Sequence, residues 1–351
     1  MTWIRSALIG LAALIAAIVA GAFAIALQAP HPTGFQSVVA ADADGKPLVI
    51  GIWYPTDAQP WPTMLLGLNL MSVAHDGPVV GSALPLVVIS HGNGGGPGGH
   101  ADLALALASQ GFVVAAPMHD GDNFADQRAL SSANWLVDRT RQIHATLDYM
   151  LASWPGHDRI DPRRIGMYGF SAGGFTTLVV IGGVPDLRRL APHCSNTAEF
   201  ACKLLADAHS PLLLPANDPP ASAYVHDPRV NAAVIAAPGL GFTFTAEGLA
   251  GVTAPVQLWT GAADVNVPTA TNAATVRDAL GTRAEFHVVP GAGHFSFLVP
   301  CGPIGPPFLC NDADGFDRKQ FHTNMNRSVV DFFQARLRTA MESGTSSADK
   351  Y

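Results

Sequence analysis

The chain has 351 residues, of which 48% are hydrophobic and only 13% are charged, and its formal net charge is −7. Soluble domains usually carry about 25% charged residues, so this composition is unusually apolar. A negative chain without a basic stripe is a poor partner for nucleic acid, and none is expected. The length suits one α/β domain.

The N-terminus begins with an apolar segment, residues 7–27, an uncharged run of 21 residues behind Arg5. That length approaches the ~20 residues that span a bilayer and exceeds the ~7–15 of a signal-peptide core. Small residues at 22–26 nevertheless offer cleavage sites. Residues 1–30 are therefore predicted to be either a cleaved signal peptide or an N-terminal membrane anchor. Either way, the rest of the chain is expected to be exported, to the periplasm or outside the cell, and a retained segment would anchor it to the inner membrane.

The first chemically informative loop follows early strands, predicted within residues 35–55, and a near-continuous apolar strand at 84–90. It reads His-Gly-Asn-Gly-Gly-Gly at residues 91–96. Glycines let a backbone approach a substrate closely, and an oxyanion hole needs such preorganised N–H donors. We predict the Asn93 amide as one donor, with Gly94 as the alternative. A phosphate loop is disfavoured because its Gly-Lys-Ser/Thr ending is absent.

Alternating helices and strands continue along the chain. A helix is predicted at 100–110, a strand at 112–117 and a helix at 132–153. The sequence His-Asp-Gly-Asp-Asn at 119–123 forms either a metal site or a hydrogen-bonded loop, and the second is preferred. Since no tight metal-ligand spacing occurs elsewhere, no metal and no cofactor are expected.

The strongest motif is Gly-Phe-Ser-Ala-Gly-Gly at 169–174, after a strand at 165–168 and before a run of small and apolar residues. A strand, a sharp turn and a helix around Gly-x-Ser-x-Gly form a nucleophile elbow. Ser171 is therefore the predicted nucleophile. The amide of Ala172 is the second predicted oxyanion donor.

An acid and a base follow two later strands. Asp264 comes just after a strand at 256–261, and His294 after a strand at 284–289. The order Ser171, Asp264, His294 is the order of a hydrolase triad. Taken singly, Asp264 would equally suit the N-cap of a helix at 269–280. Together they predict a catalytic triad.

Proline and cysteine interrupt this pattern. Residues 187–229 contain six prolines and are predicted to form a cap over the cleft rather than a separate domain. The cysteines fall into two close pairs, Cys194-Cys202 and Cys301-Cys310, which are predicted disulfides in an exported protein. The sequence alone permits three pairings, and two reduced pairs are the alternative. The segment 311–315 resembles a calcium-binding loop but does not match its pattern, because Cys310 and Phe321 occupy the positions where Asp and Glu are needed.

A closing helix is predicted at 317–339, ahead of a polar tail at 341–351.

These motifs resemble α/β-hydrolases of the dienelactone hydrolase group, particularly bacterial proteins similar to platelet-activating factor acetylhydrolase. The resemblance runs from about residue 35 to 337 and implies one α/β-hydrolase domain, residues 35–340, with a mostly parallel sheet and helices on both faces. Two departures are visible. Dienelactone hydrolases use a cysteine where this chain has Ser171. In the acetylhydrolases the acid follows the sixth strand. In this chain that strand is predicted at 230–237, and the first carboxylate after it is Glu247. Asp264 is therefore the predicted acid, and Glu247 is the competing candidate.

The expected function is cleavage of carboxylic esters, small or lipid-like, through an acyl-enzyme on Ser171. An acyltransferase using the same triad is the alternative. A catalytically silent surface binding protein is a third reading, disfavoured because every catalytic position is filled.

Overall fold

The computed structural model describes residues 2–42, 44–65, 69–302 and 305–337. Its ten strands are β1 (Thr33–Ala41), β2 (Pro47–Pro55), β3 (Trp61–Leu65), β4 (Asn69–His75), β5 (Leu84–Ser90), β6 (Val113–Pro117), β7 (Ile160–Phe170), β8 (Val230–Ala236), β9 (Val256–Gly261) and β10 (Ala284–Val289). Its α-helices are α1 (Thr2–Ile25), α2 (Ala101–Ser109), α3 (Trp135–Ala152), α4 (Ala172–Val180), α5 (Leu190–Asn196), α6 (Phe200–Asp207), α7 (Ala273–Leu280), α8 (Pro307–Cys310) and α9 (Arg318–Arg336).

All ten strands belong to one sheet, in the order β10-β9-β8-β7-β5-β6-β2-β1-β4-β3. The six strands from β10 to β6 run parallel, and β2 joins β6 antiparallel. Parallel strands bring their carboxyl ends to one edge of the sheet. In open α/β sheets ligands bind at that edge, which makes it the place to look for a site.

Apolar side chains cover both faces of the sheet. In β5, Leu86 and Val88 pack with α3 and α4 on one face, while Val87 and Ile89 pack with α2 and α9 on the other. A strand buried on both faces reads as a continuous apolar run, as the sequence 84–90 does. The prediction of a mostly parallel sheet with helices on both faces is confirmed.

Several element boundaries differ from the predictions. In the early region β1 and β2 lie where strands are predicted, and β3 and β4 extend the sheet beyond the predicted range 35–55. Helix α3 begins at Trp135 rather than 132, and α7 begins at Ala273 rather than 269. Helix α9 ends at Arg336, and the polar tail at 341–351 lies outside the described residues.

The N-terminal apolar segment is a largely exposed helix, whose Phe23 packs against Trp61 of β3. Its stretch Ile4–Ile25 is long and apolar enough to cross a membrane, and none of it is buried. Directly after it the chain enters the domain: the Leu27 N–H donates to the Leu70 carbonyl at 2.8 Å, and the Leu27 carbonyl accepts from the Ser72 N–H at 2.9 Å. The helix therefore connects to the sheet edge with almost no linker.

The insert at 187–229 contains α5, α6 and short 3-10 turns rather than only irregular chain. Leu190 and Leu205 join the core on the α3–α4 face. Glu199, although buried, accepts hydrogen bonds from Thr271 and Asn272, close beyond Asp264. The insert thus packs against the loop after β9, and its function as a cap remains a prediction.

Candidate active site

Ser171 lies on the turn between β7 and α4, with the backbone dihedrals φ 55° and ψ −117°. A positive φ is strained for a side chain other than glycine, and such strain is typical of functional turns. Two hydrogen bonds stabilise this conformation, from the Ser171 N–H to the Ala236 carbonyl and from the Gly239 N–H to the Ser171 carbonyl, both at 3.0 Å. Ser171 thereby projects at the carboxyl edge of the sheet.

The glycines of the motif are required by close backbone approach. A Cβ atom on Gly173 would overlap the carbonyl oxygen of Ser90, and one on Gly169 would overlap the carbonyl of Gly173. Helix α4 can therefore start against β5 and β7 only if both positions lack side chains. Local packing thus explains the Gly-x-Ser-x-Gly pattern.

The structure brings the three predicted triad residues together. His294 Nε2 lies 3.0 Å from Ser171 Oγ, and His294 Nδ1 lies 2.7 Å from Asp264 Oδ2. With Nδ1–H donating to the carboxylate, Nε2 is left to accept the Ser171 hydroxyl proton. The three residues follow β7, β9 and β10, neighbouring regions of the same parallel sheet.

The Asp264 carboxylate is fully buried, yet both of its oxygens have partners. Oδ1 accepts hydrogen bonds from the N–H groups of Asn266 at 3.0 Å and Val267 at 2.8 Å, while Oδ2 faces His294. The alternative reading of Asp264 as a helix cap is wrong, because α7 begins only at Ala273 and its N-cap is Asn272. Glu247, the competing acid, is exposed.

Aromatic packing and a polar network fix the His294 turn. The Phe170 ring lies against the imidazole, with ring centres 4.8 Å apart. Two residues after His294, the Ser296 hydroxyl donates to Asp312 at 2.6 Å, and Asp312 pairs with Arg318 at 2.8 Å. The acidic segment 311–315, through Asp312, therefore stabilises the turn that carries His294.

Of the predicted oxyanion donors, Asn93 follows β5 and Ala172 follows Ser171. Neither backbone N–H donates to an acceptor among the described residues, so both remain free for a substrate oxygen. The Gly94 N–H, the alternative donor, already donates to Asp122 Oδ1 at 3.0 Å. The geometry therefore favours Asn93 over Gly94.

The side chains of the loop at 119–123 form hydrogen bonds within the protein, which is the alternative that the sequence favours for this segment. His119 bonds to Ser90 and Gln142, each at 2.9 Å, and Asp122 pairs with the guanidinium of Arg139. Among the residues that the structure describes, no group of three His, Cys, Asp or Glu side chains is arranged to hold a metal ion. Arg139 is not recognisable as a site residue from the sequence, because an arginine within a helix normally faces solvent.

Three histidines outside the triad, His91, His100 and His119, are buried and have lowered pKa values. Burial, helped by the Arg139 charge, lowers the pKa of His91 to about 4; burial lowers the pKa of His100 to about 3 and that of His119 well below its usual value. In the unfolded chain each would titrate near pH 6.5. His322 behaves oppositely, since Asp102 outweighs burial and raises its pKa.

We expect these histidines to make the protein sensitive to acid. Because their folded pKa values are depressed, the unfolded chain binds protons first as the pH falls below about 6.5, and stability is lost toward pH 4. Each histidine contributes a loss of unfolding free energy on the order of 1 kcal/mol per pH unit in that range. Urea unfolding at pH 7, 6 and 5 measures this. A His100→Asn variant should show a shallower slope, and an unfolding free energy constant over that range would contradict the prediction.

Both predicted disulfides are bonded, Cys194 to Cys202 in the insert and Cys301 to Cys310 after the histidine turn. The second closes a loop that leads directly to Asp312, which holds Ser296. The Arg318 guanidinium also lies 3.8 Å from Cys301 Sγ. The Cys301–Cys310 bond therefore supports the network beneath His294.

We expect Cys301→Ser to lower turnover and stability together. Opening a loop of this length costs about 2–3 kcal/mol in the chain-entropy model, and the His294 turn loses its support. Cys194→Ser, in the insert, serves as the matched control and should change mainly KM or substrate range. Thermal melts and kcat measured on both variants, with mass spectrometry of the unreduced protein, provide the test. Free thiols at all four positions would remove its basis.

Comparison with known proteins agrees with this architecture. A ferulic acid esterase from Streptomyces cinnamoneus superposes with a TM-score of 0.61 over 88% of this chain and 91% of its own, at 21% sequence identity. The fold is that of the α/β-hydrolases. A family model described as platelet-activating factor acetylhydrolase, isoform II, matches residues 75–132, which contain the β5 strand and the glycine loop that carries Asn93. The resemblance to acetylhydrolase-like members of this fold is therefore confirmed.

Curated relatives are similar at higher identity over a shorter stretch of this chain. Cutinase est1 of Thermobifida alba is 38% identical over 108 residues, and cutinase 2 of Thermobifida cellulosilytica is 37% identical over 108 residues. Each alignment covers 30% of this chain and respectively 33% and 37% of the relative. The chain thus spans about a third of the length of these cutinases.

Proposed function

We propose that this protein is a carboxylic ester hydrolase that acts through an acyl-enzyme on Ser171. The observation that carries the proposal is the hydrogen-bonded series from Asp264 through His294 to Ser171, with distances of 2.7 and 3.0 Å. The names of the similar proteins, cutinases and a ferulic acid esterase, all denote ester cleavage and support it.

In the first half of the reaction, Ser171 Oγ attacks the ester carbonyl while His294 Nε2 takes the hydroxyl proton. Asp264 keeps Nδ1 protonated and stabilises the imidazolium that forms. The Asn93 and Ala172 amides donate to the negatively charged oxygen of the tetrahedral intermediate. The intermediate collapses, His294 returns its proton to the leaving alcohol, and the acyl group stays on Ser171.

In the second half, water takes the place of the alcohol. His294 removes a proton from the water as it attacks the acyl carbonyl, the same two amides hold the oxyanion, and the acid leaves as Ser171 regains its proton. No further group is required, because the one histidine acts as base and acid in turn.

Exposed apolar side chains flank this site. Phe124 lies against the glycine loop that carries Asn93 and is 60% exposed, and Val265, next to Asp264, is 82% exposed. Exposed apolar groups on the loops that carry Asn93 and Asp264 favour an ester with an apolar acyl or alcohol part. The small or lipid-like esters expected from the sequence fit that description.

The cellular location is part of the proposal. Two disulfides favour an oxidising compartment, and the 22-residue apolar stretch Ile4–Ile25 serves as a signal or as an anchor. We propose an exported domain in the periplasm or outside the cell. Where the helix is retained, the short connection at Leu27 would hold the domain against the membrane.

Hydrolysis of a series of p-nitrophenyl acyl esters tests the function. Turnover that depends on Ser171, together with labelling of that serine by a phosphonate, is the expected result. Added alcohol separates hydrolysis from acyl transfer, because a transferase would yield a new ester. Absence of turnover across the whole series, in folded protein, would favour the binding-protein alternative.

A further inference from the structure

We propose that the buried pair Asp122 and Arg139 positions both donors of the oxyanion hole. The inference rests on the proposed function, because it concerns the same site. Both side chains are about 1% exposed, and Arg139 Nη1 lies 2.5 Å from Asp122 Oδ2. Neither residue is placed to touch the substrate, so their function is to hold other groups.

Asp122 holds the loop that carries the Asn93 donor. Its Oδ1 accepts two hydrogen bonds from that loop, from Asn93 Nδ2 at 2.7 Å and from the Gly94 N–H at 3.0 Å. Because these contacts engage the side chain of Asn93 and the next backbone amide, they fix the peptide units on either side. The Asn93 N–H itself is left unbonded among the described residues and free for the oxyanion.

Arg139 extends from the same carboxylate to the second donor. Its Nη2 donates to the His91 carbonyl, at the base of the Asn93 loop. Its Nε donates to the Thr176 hydroxyl at 3.0 Å, and that hydroxyl donates to the Ala172 carbonyl at 2.9 Å. One guanidinium therefore connects the two segments, which follow different strands, β5 and β7.

The charges around the pair are balanced for this function. Burial alone would raise the pKa of Asp122, but Arg139 and the Trp135 and Gly94 N–H groups hold it below its usual value. The neighbouring imidazole of His91 stays neutral beside Arg139, so the carboxylate is the counter-charge of the guanidinium. Preorganised donors in a fixed polar frame are what an oxyanion hole requires.

A purely structural function is the competing explanation, since buried ion pairs commonly contribute to folding without touching catalysis. The two explanations differ in what they predict for kinetics. A positioning pair affects donors that act mainly in the transition state, so its loss lowers kcat and leaves KM nearly unchanged. A structural pair affects thermal stability alone.

The experiment uses variants that loosen one connection at a time in the full-length protein. Thr176→Val removes the hydroxyl that joins Arg139 to the Ala172 carbonyl, and Thr176→Ser retains it. Asp122→Asn breaks the pair itself. We expect kcat to fall roughly 10-fold for Thr176→Val and roughly 100-fold for Asp122→Asn, with KM within about twofold of the parent, because small displacements of catalytic donors have effects of that order. Thr176→Ser should keep its activity.

A matched control removes another buried carboxylate far from the site. Asp227 is fully buried, pairs with Arg229 at 2.6 Å and lies just before β8, at the opposite edge of the sheet. Asp227→Asn should lower the melting temperature and leave kcat unchanged. The inhibition constant of an alkylboronic acid, whose serine adduct is tetrahedral, should rise in Thr176→Val and not in Asp227→Asn.

The outcomes separate the two proposals. If Ser171→Ala retains turnover, the proposed function fails. If Ser171→Ala is inactive while folded Thr176→Val and Asp122→Asn keep the parent kcat and boronate affinity, the positioning proposal alone is overturned. Should Asp122→Asn fail to fold, Thr176→Val against Thr176→Ser still decides, because neither change alters a charge.

Discussion

Replacing Ser171 with alanine is expected to reduce ester hydrolysis by a factor of about 10⁴ or more. Without the nucleophile, only the rate acceleration from the oxyanion donors and from substrate binding remains. The side chain hydrogen-bonds to His294 at 3.0 Å and lies half-buried at the edge of the sheet. Its loss removes one hydroxyl and leaves the strained backbone supported by Ala236 and Gly239. Turnover of a p-nitrophenyl ester by purified protein measures the effect.

The control for Ser171→Ala is to show that the variant is still folded. Removing one half-buried hydroxyl should change the unfolding free energy by no more than about 1 kcal/mol, so the thermal melts of both proteins should nearly coincide. A serine-directed phosphonate should label the parent at Ser171 and leave the variant unlabelled. Retention of more than a few per cent of the activity, in protein free of contaminating esterase, would overturn the assignment.

The candidate site was predictable because each of its side chains follows a segment that forms a strand of the parallel part of the sheet. The runs at 84–90, 256–261 and 284–289 are strands, and the polar residues just beyond them reach the same edge of the sheet. Parallel pairing alone brings such positions together. The sequence therefore predicted Asp264 and His294 as partners although 30 residues separate them.

Other features depend on contacts that no local pattern reveals. Strand β4 was missed, because it is defined by its pairing with β1 and β3 at the sheet edge. Helix α7 was predicted to start too early, because the side chain of Asn272 is engaged with Glu199 of the insert and with the Gly241 amide. Arg139 was overlooked for the same reason. Its burial follows from packing between α3 and α4 rather than from its own sequence.

Replacing Asp264 with asparagine is expected to lower kcat by about 10⁴, because an amide cannot hold the imidazole in the required tautomer or stabilise its charged form. The carboxylate is buried, accepts from two backbone N–H groups and lies 2.7 Å from His294 Nδ1. Asparagine has nearly the same shape and should preserve the loop. The change therefore tests charge and proton position rather than packing.

Glu247 provides the matched comparison for Asp264, because it occupies the region in which the acetylhydrolases carry their acid. It is exposed, and the hydrogen bonds that hold its pKa below the usual value come from its own backbone and from Thr245 rather than from the triad. Glu247→Gln should therefore leave kcat within about twofold of the parent, as expected for a surface substitution. The pH–rate profiles of both variants complete the test. If Glu247→Gln is the crippling change and Asp264→Asn is mild, the acid of the triad is Glu247.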